Sequence, residues 1–217
     1  MNLTFSYSKE KDVWCLLNKG KSSNNSSNPT SVYEELLAKV GNNPDEVSTS
    51  SFVDEYLKAN NLQPEHFIQS YQKMFSDIST DFQTVAEKVF GVSLSRDIMA
   101  YLTVNTRCPY SIEEGWFFVS MSKGNPVLTM MHELWHFYTW EKFGTDEQER
   151  VGKEKYNEVK EALTVLLNTE CQHLLPEGAI DNGYPQHQEL RERISELWKQ
   201  NPDIELVWKE ALQFSFM

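Results

Sequence analysis

Cysteine and basic residues are scarce in this sequence, and long apolar runs are absent. The three cysteines are odd in number, far apart and without CxxC spacing, which argues against a disulfide framework and a thiolate zinc site. Lys and Arg number 20 against 32 Asp and Glu, and the net charge of −12 makes nucleic acid and anionic lipid poor partners. No apolar run has membrane length, and the N-terminus lacks a signal-peptide pattern. We therefore expect a cytoplasmic protein that binds neither nucleic acid nor membrane.

The length and the apolar content predict a folded chain with a substantial core. Hydrophobic residues make up 40% of the 217 residues and aromatic residues 12%, which excludes general disorder. Residues 1–30 are predicted to form a β-hairpin, with strands at 3–7 and 13–17, followed by a flexible Ser/Asn-rich loop at 20–29. Residues 31–217 are predicted to form the main domain.

Helical spacing of apolar residues predicts that residues 31–95 are a helical N-terminal part of this domain. Ser31, Ser51 and Asp81 are the expected N-caps, and Gly41 and Gly91 are the expected helix ends.

The remaining chain is predicted to contain a small sheet followed by further helices. Residues 98–104 and 116–121 are rich in strand-forming side chains, whereas 127–143 and 147–168 have helical periodicity. A Pro- and Gly-rich loop at 176–185 precedes two amphipathic helices that are separated by Asn201 and Pro202. The predicted class is α+β, mostly helical, with a small sheet that precedes the helix at 127–143.

The helix at 127–143 contains the motif HExxH, formed by His132, Glu133 and His136. Four residues make about one helical turn, so both imidazoles leave the same face and can bind one Zn²⁺. Glu133 lies beside them and can accept a proton from a water on the zinc. The rest of the helix surface is apolar, and burial would leave these polar groups unsatisfied without a metal ion.

A third zinc ligand must come from another segment, and Glu161 is the preferred candidate. It precedes an apolar run and shares a narrow polar stripe with Thr164 and Asn168, so a carboxylate there would need a cation. The alternatives that remain open are Asp146, Glu147, Glu154 and Glu158.

These residues resemble those of the zincin metallopeptidases, and most closely the gluzincins, the thermolysin-like group. His132, Glu133 and His136 match the motif, and Glu161 fits the glutamate ligand on the following helix. The resemblance covers about residues 116–168 and implies a zincin-like fold. It also implies an antiparallel edge strand at 116–121, along which an extended peptide substrate would bind.

Other HExxH families match less well. The metzincin extension requires Gly and His where this sequence has Thr139 and Lys142, and Cys108 lacks the flanking residues of the peptide deformylases. The segment Gly144-Thr145-Asp146-Glu147 resembles the start of the aspzincin motif.

The resemblance implies a zinc-dependent metallopeptidase that hydrolyses peptide bonds of a peptide or protein substrate. His132, His136 and Glu161 would hold the zinc, and Glu133 would be the general base. Tyr184 is the preferred candidate to stabilise the developing oxyanion, His187 is the second and His173 the third. The alternative is a non-catalytic zincin-like protein that binds metal and regulates or binds a partner; the sequence leaves the substrate and the oligomeric state open.

Overall fold

The computed structural model describes residues 1–20 and 28–214. The described chain is mostly helical with one small sheet, which agrees with the predicted α+β class. It divides into two compact units: one contains Asn2–Ser76 and Arg96–Thr129, and the other contains Met1, Asp77–Ser95 and the chain from Met130 onward. Within the described residues, no helix combines the length and the apolar character that crossing a bilayer requires.

The elements follow one another in a simple order. The strands are β1 (Asn2–Ser6), β2 (Asp97–Thr103), β3 (Tyr110–Ser111) and β4 (Trp116–Ser120). The helices are α1 (Lys9–Lys19), α2 (Ser31–Val40), α3 (Glu46–Ala59), α4 (Pro64–Phe90), α5 (Pro126–Val151), α6 (Lys153–Ala162), α7 (Leu167–Glu170), α8 (Gln188–Gln200) and α9 (Ile204–Phe214). Short 3₁₀ turns lie at Leu163–Leu166, Gln172–Leu174 and Pro185–His187.

The sheet of the first unit has the strand order β1-β2-β4-β3. Both β1 and β4 pair in parallel with β2, so that Ala100 lies between Phe5 and Phe117. Helix α1 covers one face of the sheet, where Trp14 stacks on Phe118. On the other face, the Tyr71 ring of α4 contacts Phe5 edge-on, with ring centroids 6.4 Å apart. The strands are therefore packed between helices.

The predicted N-terminal hairpin is wrong in its second strand. Residues 2–6 form β1, but residues 13–17 lie inside α1. Ser8 caps this helix by accepting a hydrogen bond from the backbone of Lys11, and Val13 and Leu16 lie on its buried side. A short apolar run suits either a strand or a helix, and only the cap distinguishes them. The predicted flexible loop falls mostly on residues 21–27, outside the described residues.

The predicted peptide-binding edge strand is also wrong, because β4 lies inside the sheet. It pairs with β2 on one side and with the two residues of β3 on the other. The edge strands of the described sheet are β1 and β3. Residues 117–120 are buried, as expected for a core strand.

Helices are confirmed across residues 31–90, but several predicted boundaries are wrong. Thr30, and not Ser31, caps α2, and Asp45 caps α3 through a capping box with Ser48. Ser51 and Asp81 lie inside helices. Gly41 follows the end of α2 and Gly91 follows the end of α4, as predicted.

The second unit is built from the C-terminal half of α4 and from the helices after residue 130. Phe90 of α4 packs edge-on against Trp135 of α5, with ring centroids 4.9 Å apart.

The predicted helix at 147–168 is not continuous. Helix α5 bends at Gly144, whose φ is 58°, and ends before Gly152, whose φ is 88°. The positive φ of Gly144 bends α5, that of Gly152 separates α5 from α6, and the chain then changes to a 3₁₀ turn at Leu163. Helices α8 and α9 are confirmed.

Asp12 is a fully buried carboxyl group in the first unit, with an exposed fraction of 0%. Its Oδ1 accepts hydrogen bonds from the Thr103 hydroxyl at 2.6 Å and from the Val104 backbone at 3.0 Å. Burial raises the pKa of Asp12 to about 6, although these hydrogen bonds act in the opposite direction. The native protein therefore retains this proton at pH values where the unfolded chain has lost it.

We predict that Asp12→Asn stabilises the protein at pH 7, by about 1–3 kcal/mol. The amide oxygen can keep both hydrogen bonds, and the cost of ionising a buried carboxyl group is removed. Because the pKa of Asp12 is higher in the folded state than in the unfolded state, the free energy of unfolding of the wild-type protein falls as pH rises from about 4 to 6. Urea unfolding from pH 4 to 7 measures the difference, which should grow over that range and then level off. A constant difference, like that of the exposed control Asp54→Asn, would contradict this account.

Candidate metal centre

The first half of helix α5 presents a polar stripe on an otherwise largely apolar surface. Met131, Leu134 and Trp135 are fully buried, as the sequence pattern predicts. His132 and His136, one turn apart, both face the stripe, and their Nε2 atoms lie 3.1 Å from each other. Two ring nitrogens this close converge on one point.

Glu161, near the end of α6, supplies a third atom to this point. Its Oε2 lies 3.4 Å from Nε2 of His136 and 3.8 Å from Nε2 of His132. The three possible ligand atoms all lie within 4.8 Å of one another. Two imidazoles and a carboxylate form a donor set that suits zinc, so these residues fit a metal ion.

The other candidate third ligands lie outside this group among the described residues. Glu147 accepts hydrogen bonds from Arg150 at 2.7 Å and from the Trp208 indole at 2.8 Å. Asp146 and Glu154 are exposed, and Glu158 is partly buried. The structure therefore favours Glu161 over the aspzincin-like alternative.

Burial, hydrogen bonds and neighbouring charges together shift the pKa values of this group. Burial alone would lower the pKa of His132, but the carboxylates of Asp181 and Glu161 raise it well above its usual value. Burial likewise would raise the pKa of Glu161, whereas His136 and His132 hold it well below the ordinary range. The Glu161 carboxylate is therefore ionised, and its negative charge beside two imidazoles favours binding of a cation.

Glu133, beside the first histidine, has a different environment. Its side chain is 6% exposed, and its Oε2 has no hydrogen-bond partner among the described residues. Burial raises its pKa to about 8; His132 opposes the shift, and the charges of Glu161 and Asp181 add to it. An unpartnered buried carboxyl oxygen beside a candidate metal site requires explanation, and a proton-transfer role provides one.

Asp181 belongs to this polar cluster, and the sequence did not predict it. Its Oδ2 lies 2.6 Å from Nδ1 of His132, and its Oδ1 accepts hydrogen bonds from Thr164 and Arg191 at 3.0 and 2.8 Å. Burial would raise the pKa of Asp181, but the bond and charge of His132, together with Arg191, lower it to about 2. A carboxylate on Nδ1 fixes the ring and leaves Nε2 free for a ligand.

The loop that contains Asp181 is held at both sides. The backbone N–H of Asp181 donates a hydrogen bond to the Asn168 side chain, and its carbonyl oxygen accepts one from the same side chain, both at 2.8 Å. The carbonyl oxygen of Asp181 also accepts a hydrogen bond from Arg191. Thr164 and Asn168 are the polar residues that share the stripe of Glu161, from which the sequence predicted only that the Glu161 carboxylate needs a cation. It did not indicate Asp181, a single aspartate in an irregular loop.

The candidate oxyanion donors lie in different surroundings. Tyr184 and His187 contact each other edge-on, with ring centroids 5.9 Å apart. His187 is 7% exposed, and its buried Nδ1 has no hydrogen-bond partner among the described residues. Burial lowers its pKa, and the nearby charges of Glu161 and Glu158 oppose this shift. His173 is exposed. The structure therefore favours His187, with Tyr184 as its neighbour, over His173.

Comparison of the chain with protein-family models, with curated proteins and with solved structures gave no match. The chemistry of the described residues is therefore the basis for any functional conclusion. Three convergent ligand atoms can bind a divalent metal ion, and the buried carboxyl group of Glu133 beside them can exchange a proton.

We predict that Gly183→Ala weakens the Asp181 loop more than Gly178→Ala does. Both glycines have positive φ, 59° and 76°, so alanine costs about 1–2 kcal/mol of backbone strain at either position. At position 183 the new Cβ would also lie 2.6 Å from Nη1 of Arg191, whereas position 178 is open. The clash should add about 1–3 kcal/mol. Chemical unfolding of both variants measures the difference, and equal losses would contradict the tight packing of Arg191 against this loop.

Proposed function

We propose that this protein is a zinc-dependent metallopeptidase that hydrolyses peptide bonds. The observation on which the proposal rests is the convergence of His132, His136 and Glu161, with the buried carboxyl group of Glu133 beside them. The fold around this centre is proposed to be zincin-like, in keeping with the resemblance of the motif to the gluzincins. None of the three cysteines forms a disulfide bond in the described structure, which suits the reducing environment of the cytoplasm, the proposed location.

The donor set favours zinc over other common divalent ions. Magnesium and calcium prefer oxygen ligands, whereas zinc binds imidazole nitrogen and carboxylate oxygen together. Catalytic zinc sites have three protein ligands and an open fourth position, and the described group has three members. The bound ion would polarise the substrate carbonyl and lower the pKa of a water molecule.

Glu133 is proposed to be the general base. It follows His132 directly on α5, and its unpartnered Oε2 could receive a proton from the attacking water once a bound metal ion had lowered the raised pKa of this carboxyl group. The same carboxyl group would then donate this proton to the leaving amine. Asp181 keeps His132 in the tautomer that offers Nε2, because its carboxylate holds the proton on Nδ1.

The developing oxyanion is proposed to be stabilised by His187 or Tyr184. His187 lies close enough to Glu161 and Glu158 for their charges to act on its pKa, and the Tyr184 ring contacts it. Either side chain would donate a hydrogen bond to the oxyanion of a substrate bound at the metal ion.

The rival function is a zincin-like protein that binds metal without catalysis. A structural zinc site normally has four protein ligands and no use for a buried glutamate next to the first histidine. Glu133 is therefore the residue that separates the two functions, and the following variant tests it.

We predict that Glu133→Gln keeps the zinc and loses peptide hydrolysis. Glutamine preserves the size of the side chain but cannot accept the proton, so turnover should fall by about 10²- to 10⁴-fold. Cleavage of a mixed peptide library, followed by mass spectrometry at equal zinc content, measures the loss. Glu141→Gln, at an exposed position of the same helix, is the control. Unchanged turnover in Glu133→Gln would exclude its role, and zinc-loaded wild-type protein that cleaves no peptide would favour the non-catalytic function.

We predict that Glu161→Gln lowers zinc affinity by at least about 10²-fold, since it removes a charged ligand. Glu147→Gln should leave the affinity near the wild-type value, because Glu147 is held by Arg150 and Trp208. Competition with a chromophoric chelator measures both. The reverse order of effects would move the protein to the aspzincin-like ligand set.

A further inference from the structure

Lys160 directly precedes the candidate ligand Glu161 and is buried, with 2% of its side chain exposed. Its Nζ donates a hydrogen bond to Oε1 of Glu161 at 3.1 Å. The other oxygen, Oε2, faces the two histidines at 3.4 and 3.8 Å. The two oxygens of this carboxylate therefore have different partners: one an ammonium group, the other the point where the imidazoles converge.

A buried ammonium group is costly and needs a counter-charge. Lys160 lies in a buried part of α6, where Tyr156, Val159 and Ala162 are also fully buried. A leucine or methionine would pack at this position without loss of solvation. The pairing with Glu161 helps to offset the cost of the buried cation.

The geometry has a direct consequence for metal binding. A carboxylate can bind a metal ion through one oxygen or through both. With both oxygens bound and a water molecule in place, Glu161 would bring the metal to five ligands and fill the position that a substrate carbonyl would need. A hydrogen-bond donor fixed on Oε1 prevents this, because it holds that oxygen away from the point where the histidines meet.

We propose that Lys160 is a positioning residue of the metal centre, which holds Oε1 of Glu161 and leaves Oε2 as the single oxygen offered to the metal. The inference rests on the proposed function and assigns to Lys160 the task of keeping one coordination position open. Arg191 has a related place at the other carboxylate, since its guanidinium holds Oδ1 of Asp181 while Oδ2 faces His132.

Substitution with Co²⁺ tests this inference without any measurement of activity. The visible absorption of Co²⁺ is intense in four-coordinate sites and weak in five-coordinate sites. Wild-type protein should give the intense four-coordinate spectrum. Lys160→Met, which keeps the aliphatic length and removes the donor, should show a loss of intensity as Oε1 joins the metal. Lys160→Arg restores a donor and should regain the intense bands, and Lys153→Met, at an exposed position of α6, should leave them unchanged.

The outcomes separate this inference from the proposed function. Wild-type protein that binds neither Co²⁺ nor Zn²⁺ would overturn both. An intense spectrum that is the same in wild type and Lys160→Met would overturn the role of Lys160 and leave the metal centre intact. A weak, five-coordinate spectrum in the wild-type protein would also overturn the role of Lys160. This outcome needs no variant, so the test does not depend on the folding of Lys160→Met.

Discussion

The convergence of two imidazoles and one carboxylate inside an apolar helical unit is the constraint on which the local structure depends. Helix α5 buries His136 completely and the neighbouring Glu133 almost completely, and such polar groups are costly unless something satisfies them. Helix α6 ends immediately after Glu161, and the 3₁₀ turn that follows directs Thr164 toward Asp181. The end of α6 and the 3₁₀ turn therefore both place polar side chains in this cluster.

Two buried cations balance the carboxylates of this cluster. Lys160 pairs with Glu161, and Arg191 pairs with Asp181. In both pairs one carboxylate oxygen is held by the cation, while the other faces a histidine. This arrangement fixes which oxygen is available and reduces the mutual repulsion of the two acids. The backbone of Asp181 is hydrogen-bonded to Asn168 and Arg191. These bonds position the Asp181 carboxylate against His132.

The sequence predicted what is local and missed what is distant along the chain. HExxH places His132 and His136 on one helical face by spacing alone, and the apolar neighbours of Glu161 indicated a buried carboxylate that needs a cation. Asp181 comes from a loop without periodicity, so nothing in the pattern pointed to it. The same limit applies to the fold: the apolar run at 13–17 suits either secondary structure, and the parallel partner of β1 lies more than 90 residues away along the chain.

Anomalous scattering at the zinc absorption edge, from crystals of protein purified without chelators, tests the central claim most directly. The account predicts one zinc peak per chain, at about 2.0–2.2 Å from Nε2 of His132, Nε2 of His136 and Oε2 of Glu161. A map without a peak between these three atoms, or with a peak whose carboxylate ligand is Glu147, would contradict it.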